Sequence, residues 1–174
     1  MSSKPFSLAR CQSGAAGAEM ALMIPLLVTL MFGSFELGNY FLSEHVVVKA
    51  VRDGTRFASR QPFDSLACTS TTPVPVSTAS GVGRKIDLLV RYGNPNAVVG
   101  EDQVRLSKWT TSIGLSVKCA PAATYSGIYK GKEANVPVVI IDVSTKYDSL
   151  FQTLGFDSSN IFLSASSESA VMGI

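Results

Sequence analysis

From Met20 to Phe35 the chain carries no charge and is mostly apolar, with Glu19 at one edge of the run and Glu36 at the other. Sixteen helical residues rise about 24 Å, short of the ~30 Å hydrocarbon core of a bilayer. Continuing the helix to Leu42 supplies the missing length and predicts a membrane-spanning helix over residues 15–42. Glu19 and Glu36 then lie about 25 Å apart by the same rise, near opposite interfaces, and neither carboxylate need sit at the midplane, where it is most costly. Pro25 falls inside the run. It has no N–H to give the carbonyl of Ala21, which predicts a kink or local loosening there.

The helical pattern continues past Leu42. Val47, Val51, Gly54 and Ala58 recur at four, three and four residues and make one apolar face. Lys49, Arg52, Arg56 and Arg60 make a basic face, tempered by Glu44 and Asp53. Such a face suits lipid headgroups or an acidic partner, and equally a solvated helix surface. Residues 43–60 therefore read as an amphipathic continuation of one long helix.

Residues 61–81, rich in Thr, Ser and Pro, read as a connecting loop. A short helix is predicted over Val82–Tyr92, because Val82, Ile86, Leu89 and Val90 share a face and Gly93 and Pro95 end it. Strand patterns follow. Ile113, Leu115, Val117 and Cys119 alternate with polar or small residues, Val136–Thr145 is a denser run, Ile161–Ser167 a shorter one, and Val104–Trp109 a weaker one. The fold class this predicts is α+β, with an antiparallel sheet packed on the long helix over residues 61–174.

With 174 residues, the chain is long enough for an anchor and one compact domain. Its net charge of +2 resides in Lys4 and Arg10, so the body beyond Gly14 is neutral, which argues against electrostatic capture of nucleic acid. Those two residues favour a cytoplasmic N-terminus, but Lys49, Arg52, Arg56 and Arg60 weigh on the other side of the span. A cleaved secretory signal is the rival to an anchor. No small-x-small cleavage site follows the apolar run, and Glu19 reverses the charge that such a signal prefers, so the anchor is the better reading.

Cys11 precedes the span, whereas Cys68 and Cys119 follow it and can pair in an oxidising compartment; the alternative is two unrelated thiols. Little else points to chemistry. His45 is the single histidine, the cysteines lack a zinc spacing, and "SGVGRKID" lacks the spacing of a phosphate loop. Trp109 with Tyr92 or Tyr125 reads as buried aromatics before it reads as a binding surface. The expectation is a non-enzyme with no cofactor, no metal and no evident small-molecule substrate.

The order Gly14-Ala15-Ala16-Gly17-Ala18-Glu19-Met20, followed by an apolar run with Pro25, resembles the processing site of type IV pilin-like precursors. Further on, "FGSFELGNYF" and "AVRDGTRFAS" resemble the TadE-like family of the tight-adherence (Tad) pilus system. The resemblance covers residues 14–60, with the C-terminal "LSASSESAVMG" a fainter echo. It departs at Met20, where phenylalanine is usual, and at Gly173-Ile174, so TadE, TadF and other minor pilins stay open as subtypes.

The resemblance implies a small pilin-like domain on the long helix. It also implies a leader over residues 1–14, cleavage after Gly14 by a membrane aspartic prepilin peptidase, and Ala15 as the new N-terminus. Glu19 then lies one helical turn from the new ammonium and can pair with it, within or between subunits, setting the register of packed helices; the plainer role is an acid at the positive end of a helix. Glu19, Pro25 and Glu36 mark the assembly helix. The implied partners are the peptidase, other Tad pilins or pseudopilins, the inner-membrane assembly platform and membrane lipid. The implied location is the bacterial inner membrane, with the C-terminal domain periplasmic or carried into a pilus. A permanently anchored periplasmic binding or scaffold protein is the alternative.

Overall fold

The computed structural model describes residues 13–120, 127–129, 136–152 and 158–173, and they divide into two compact units between Asn39 and Tyr40. Lys4, Arg10, Cys11 and Tyr125 lie outside the described residues. Helix α1 runs Ser13–Ser59 as one uninterrupted element, 47 residues long, with Pro25 inside it. The helical assignment carries through the proline, and the Thr29 hydroxyl donates to the Pro25 carbonyl at 2.8 Å.

In the unit before Tyr40, apolar side chains stand exposed on every side of α1, among them Leu22, Leu27, Leu30 and Phe35. A helix that is apolar all round needs a non-aqueous surrounding. Its hydroxyls are satisfied internally, Ser34 donating to the carbonyls of Leu30 and Met31. This segment is long and apolar enough to cross a membrane.

From Tyr40 onward the chain folds as an α+β domain. Val47, Ala50, Val51, Gly54 and Ala58 of α1 are buried, which is the face expected from their spacing. Lys49, Arg52, Arg56 and Arg60 are exposed, about half a helical turn away from that face. The sequence between α1 and the second helix carries more structure than a loop: a single 3₁₀ turn over Phe63–Leu66 and a two-residue strand β1, Val74–Pro75. Helix α2 spans Gly81–Tyr92 and buries Ile86, Asp87, Leu88 and Val90. It stops at Gly93, whose φ of +81° is open to glycine at little steric cost and whose N–H closes on the Leu89 carbonyl at 2.8 Å.

Strands β2 (Gly114–Ala120), β3 (Val136–Lys146) and β4 (Phe162–Ala170) join β1 in an antiparallel sheet of order β1-β2-β3-β4. Val74 pairs with Val117, Val117 with Val139, and Ile141 with Ser167. Pro75 is tolerated because β1 is an edge strand, and its neighbour Val76 supplies the N–H to the Leu115 carbonyl at 2.8 Å. Leu115, Val117, Val139, Ile141, Val143 and Leu163 share one core with α1 and α2, closed by Trp109 and Tyr147.

The denser apolar run of β3 has a structural reason: Val138 and Ile140 are buried as well, although the inner face is made by Val139 and Ile141. On that outer face Lys118 of β2 and Glu168 of β4 meet at 2.7 Å. Their registers, Lys118 with Val138 and Ile140 with Glu168, carry the ion pair across the central strand.

The weak strand expectation at Val104–Trp109 fails. The Arg105 N–H is taken by the Arg91 carbonyl (2.8 Å), the Trp109 N–H by the Leu106 carbonyl (3.0 Å), and the segment forms turns. Those donors serve the end of α2 and a local turn, and are lost to a ladder.

Candidate functional site

The residues singled out for processing and assembly fall on the first turns of α1. Gly14, Ala15, Ala16, Gly17, Ala18 and Glu19 are all helical and exposed. Ala15 and Glu19 are four residues apart, one turn or about 6 Å along the axis, close enough for a free amino group at Ala15 to meet the Glu19 carboxylate. Pro25 follows in the exposed apolar stretch, and Glu36 is half-buried with interactions of its own. The structure thus sets Gly14, Ala15 and Glu19 together at one end of the apolar segment, with Glu36 about 25 Å further on by helical rise.

The glycines of this segment are informative. A Cβ built on Gly14, Gly17, Gly33 or Gly38 meets nothing within 4 Å. Glycine in a helix interior is disfavoured by roughly 1 kcal/mol against alanine. Among the described residues no contact offsets that cost at these four positions. Gly54 is the opposite case: a Cβ there runs into the Val90 side chain and comes within 3.0 Å of Ile141, so α1 requires glycine where it crosses α2 and β3.

Cys68 and Cys119 are joined by a disulfide, with Cα atoms 5.3 Å apart. The bridge ties the segment before β1 to β2, reinforced by the Cys119 N–H donating to the Ser70 carbonyl at 2.6 Å. It belongs to the domain, away from the processing residues in the chain.

His45 is exposed on α1, and Trp109 is buried at 2% exposure, so Trp109 is a core residue. Among the described residues no group of three or more His, Cys, Asp or Glu could hold a metal ion. Two polar arrangements escaped the sequence reading. Asp87, buried on α2, accepts from the Ile113 N–H at 3.1 Å and pairs with Arg91 at 3.3 Å. Arg105 pairs with Asp53 at 3.2 Å. The i, i+4 spacing of Asp87 and Arg91 was the available signal for the first; the second joins residues 52 positions apart and has none.

Comparison with known families agrees with the residues that carry the resemblance. Residues 14–56 match the family model described as TadE-like protein. The match begins at Gly14 and takes in Glu19, Pro25 and Glu36, and it ends within the part of α1 that packs on the domain. No curated protein and no solved structure matches the chain significantly.

Proposed function

We propose, with the TadE-like match of residues 14–56 as premise, that this chain is a membrane-inserted minor pilin or pseudopilin precursor of a Tad pilus. In this reading a prepilin peptidase cleaves after Gly14, and the product assembles through α1 for pilus biogenesis and surface attachment. The carrying observation is that the family match begins at the Gly14–Glu19 signature and runs on through an exposed apolar helix.

Small side chains at positions 15–18 leave the backbone open to a protease cleft, and later to a neighbouring helix. Cleavage creates an ammonium at Ala15, one turn from Glu19. Two charges entering an apolar bundle are tolerated when paired, so the Glu19 carboxylate and that ammonium, in one subunit or across two, fix helix register. The exposed glycines at 17, 33 and 38 support the same reading, because no contact among the described residues uses the room they leave for another helix.

Intact mass and N-terminal sequencing of protein extracted from membranes of a host that has the peptidase test the reading. The expected mature chain begins at Ala15, and Gly14→Leu abolishes the shift. A chain retaining Met1, or one beginning after Gly33, overturns it.

A further inference from the structure

The sheet has two unlike edges. β1 is two residues long and contains Pro75, which blunts it, whereas β4 is nine residues long and has no proline. At one end of the β3–β4 ladder the Val171 N–H donates to the Pro137 carbonyl at 2.8 Å, and at the other the Tyr147 N–H donates to the Ile161 carbonyl at 2.9 Å. Bonded positions alternate along an antiparallel pair, so Leu163, Ala165, Ser167 and Ser169 turn their backbone groups to β3. Phe162, Ser164, Ser166, Glu168 and Ala170 turn theirs outward. Among the described residues nothing bonds these outward N–H and C=O groups, and Phe162, Ser164, Ser166 and Glu168 are exposed.

α1 flanks the same edge. The Thr55 and Ser167 hydroxyls meet at 3.3 Å, and the Ser59 carbonyl accepts the Met172 N–H at 2.7 Å just past the end of β4. Gly54, on the other flank, faces Val90 of α2 and Ile141 of β3, so Thr55 looks away from α2 and toward the open edge. Arg52, three residues before Thr55, stands on that flank, with Arg56 one turn further on. From residue 43 to residue 60 the exposed positions are His45, Lys49, Arg52, Arg56 and Arg60. Among the described residues neither Lys49 nor any of these arginines is in an ion pair, and the adjacent acid, Asp53, is taken by Arg105.

We infer that the β4 edge and this basic flank form one docking site, whose occupant is an extended segment of another protein that adds to β4 and turns carboxylates toward α1. The unmet backbone groups call for a strand, and the unpaired cations beside them call for acid. The carboxylates belong on the α1 side, because the outer face of β4 already presents Glu168, held by Lys118. A second copy of β4 is a poor occupant. Antiparallel pairing of two copies puts both α1 helices on one face of the joined sheet, cations against cations. The site lies wholly within the Tyr40–Ile174 unit and stands apart from the proposed pilin role.

Fluorescence anisotropy on the full chain in neutral detergent tests this with labelled peptides matched to the nine residues of β4. One alternates threonine and glutamate, one carries lysine in place of glutamate, and one is the acidic peptide with its backbone nitrogens methylated. The acidic peptide should bind saturably, and the other two about tenfold more weakly or less. Arg52→Glu together with Arg56→Glu should invert the preference between the acidic and lysine peptides. Ser166→Pro removes an N–H that β3 does not use, so the sheet should persist while the acidic peptide loses about tenfold in affinity. An acidic peptide that does not bind, or that binds no better than its methylated form, overturns strand addition. An unchanged preference in the Arg52 and Arg56 double variant overturns the charged flank. On a Cys11→Ser background, an intermolecular disulfide at Ser166→Cys but not at Ser144→Cys on β3 makes a second copy the occupant and overturns the acidic partner.

Discussion

The guanidinium of Arg105 reaches Asp53 on α1 at 3.2 Å, and the same Nη2 donates to the Leu89 carbonyl at 3.4 Å. One side chain from the segment after α2 thereby binds both helices. The guanidinium lies over Gly93, where a Cβ would come within 3.3 Å of its nitrogens. Arg105→Met keeps the stem and removes the charge. The pair is partly exposed, so the expected loss is about 1–2 kcal/mol, less than for a buried ion pair. Urea unfolding of the domain measures it, with Asp53→Asn giving a similar loss and the double variant no more than either alone by much.

Asp87 is the more demanding residue. Asp87→Ala leaves the Ile113 N–H without its acceptor and Arg91 without its carboxylate, in a setting where Arg91 already has one buried nitrogen lacking a partner. Removing one member of a buried pair costs ~3–5 kcal/mol. Asp87→Asn keeps an acceptor for Ile113 and should lose markedly less. Thermal melts of the three proteins rank them.

Gly54→Ala sets two effects against each other. Alanine gains about 1 kcal/mol of helix propensity, while overpacking a filled core costs ~1–3 kcal/mol. The contact is with Val90, whose β-branched side chain has little freedom to yield, so destabilisation wins. Gly54→Leu should prevent folding of the domain, read as loss of the cooperative transition.

The Cys68–Cys119 bridge spans 51 residues, and its loss is worth ~2–4 kcal/mol by loop entropy. Reduction of folded protein should lower the melting temperature by several degrees with the far-ultraviolet spectrum retained below it. Alkylation before reduction should leave both cysteines unlabelled.

Glu19→Gln tests the assembly reading. The variant should insert and be processed, and then fail to co-purify with its pilin partners, because the amide cannot neutralise the new ammonium. Full recovery of the complex would mean that Glu19 acts only as an acid at the start of a helix.

Periodicity made much of this fold readable. The Val47–Ala58 face, α2, β2 and β3 emerge within a residue or two of their observed bounds, the first three because each buries one regular face and β3 because burial on both faces makes a dense apolar run. β4 runs on to Ala170, beyond the expected Ser167, since Ser164, Ser166 and Glu168 face outward and only Leu163 and Ala165 reach the core. β1 was invisible because two residues containing a proline have no period; its pairing is dictated by β2. The candidate processing residues rest on another kind of signal, since Gly14, Glu19 and Pro25 form a local pattern that needs no tertiary contact. Tyr40 and Tyr147, whose rings pack edge-to-face at 5.3 Å, are far apart in the chain, and no pattern in the sequence brings them together.

The end of β4 is fastened by two bonds: the Val171 N–H donates to the Pro137 carbonyl at 2.8 Å, and the Met172 N–H to the Ser59 carbonyl at 2.7 Å. The second joins the last turn of α1 to a residue made more than a hundred positions later. A chain emerging from the ribosome thus presents α1 long before the strand that latches it exists. The apolar half of α1 can enter the bilayer at once, while the half bearing Val47, Val51 and Ala58 must wait, its face open, until β4 has been made. On the reading of residues 15–42 as a membrane span, the apolar half of α1 is complete in the growing chain well before the domain can close.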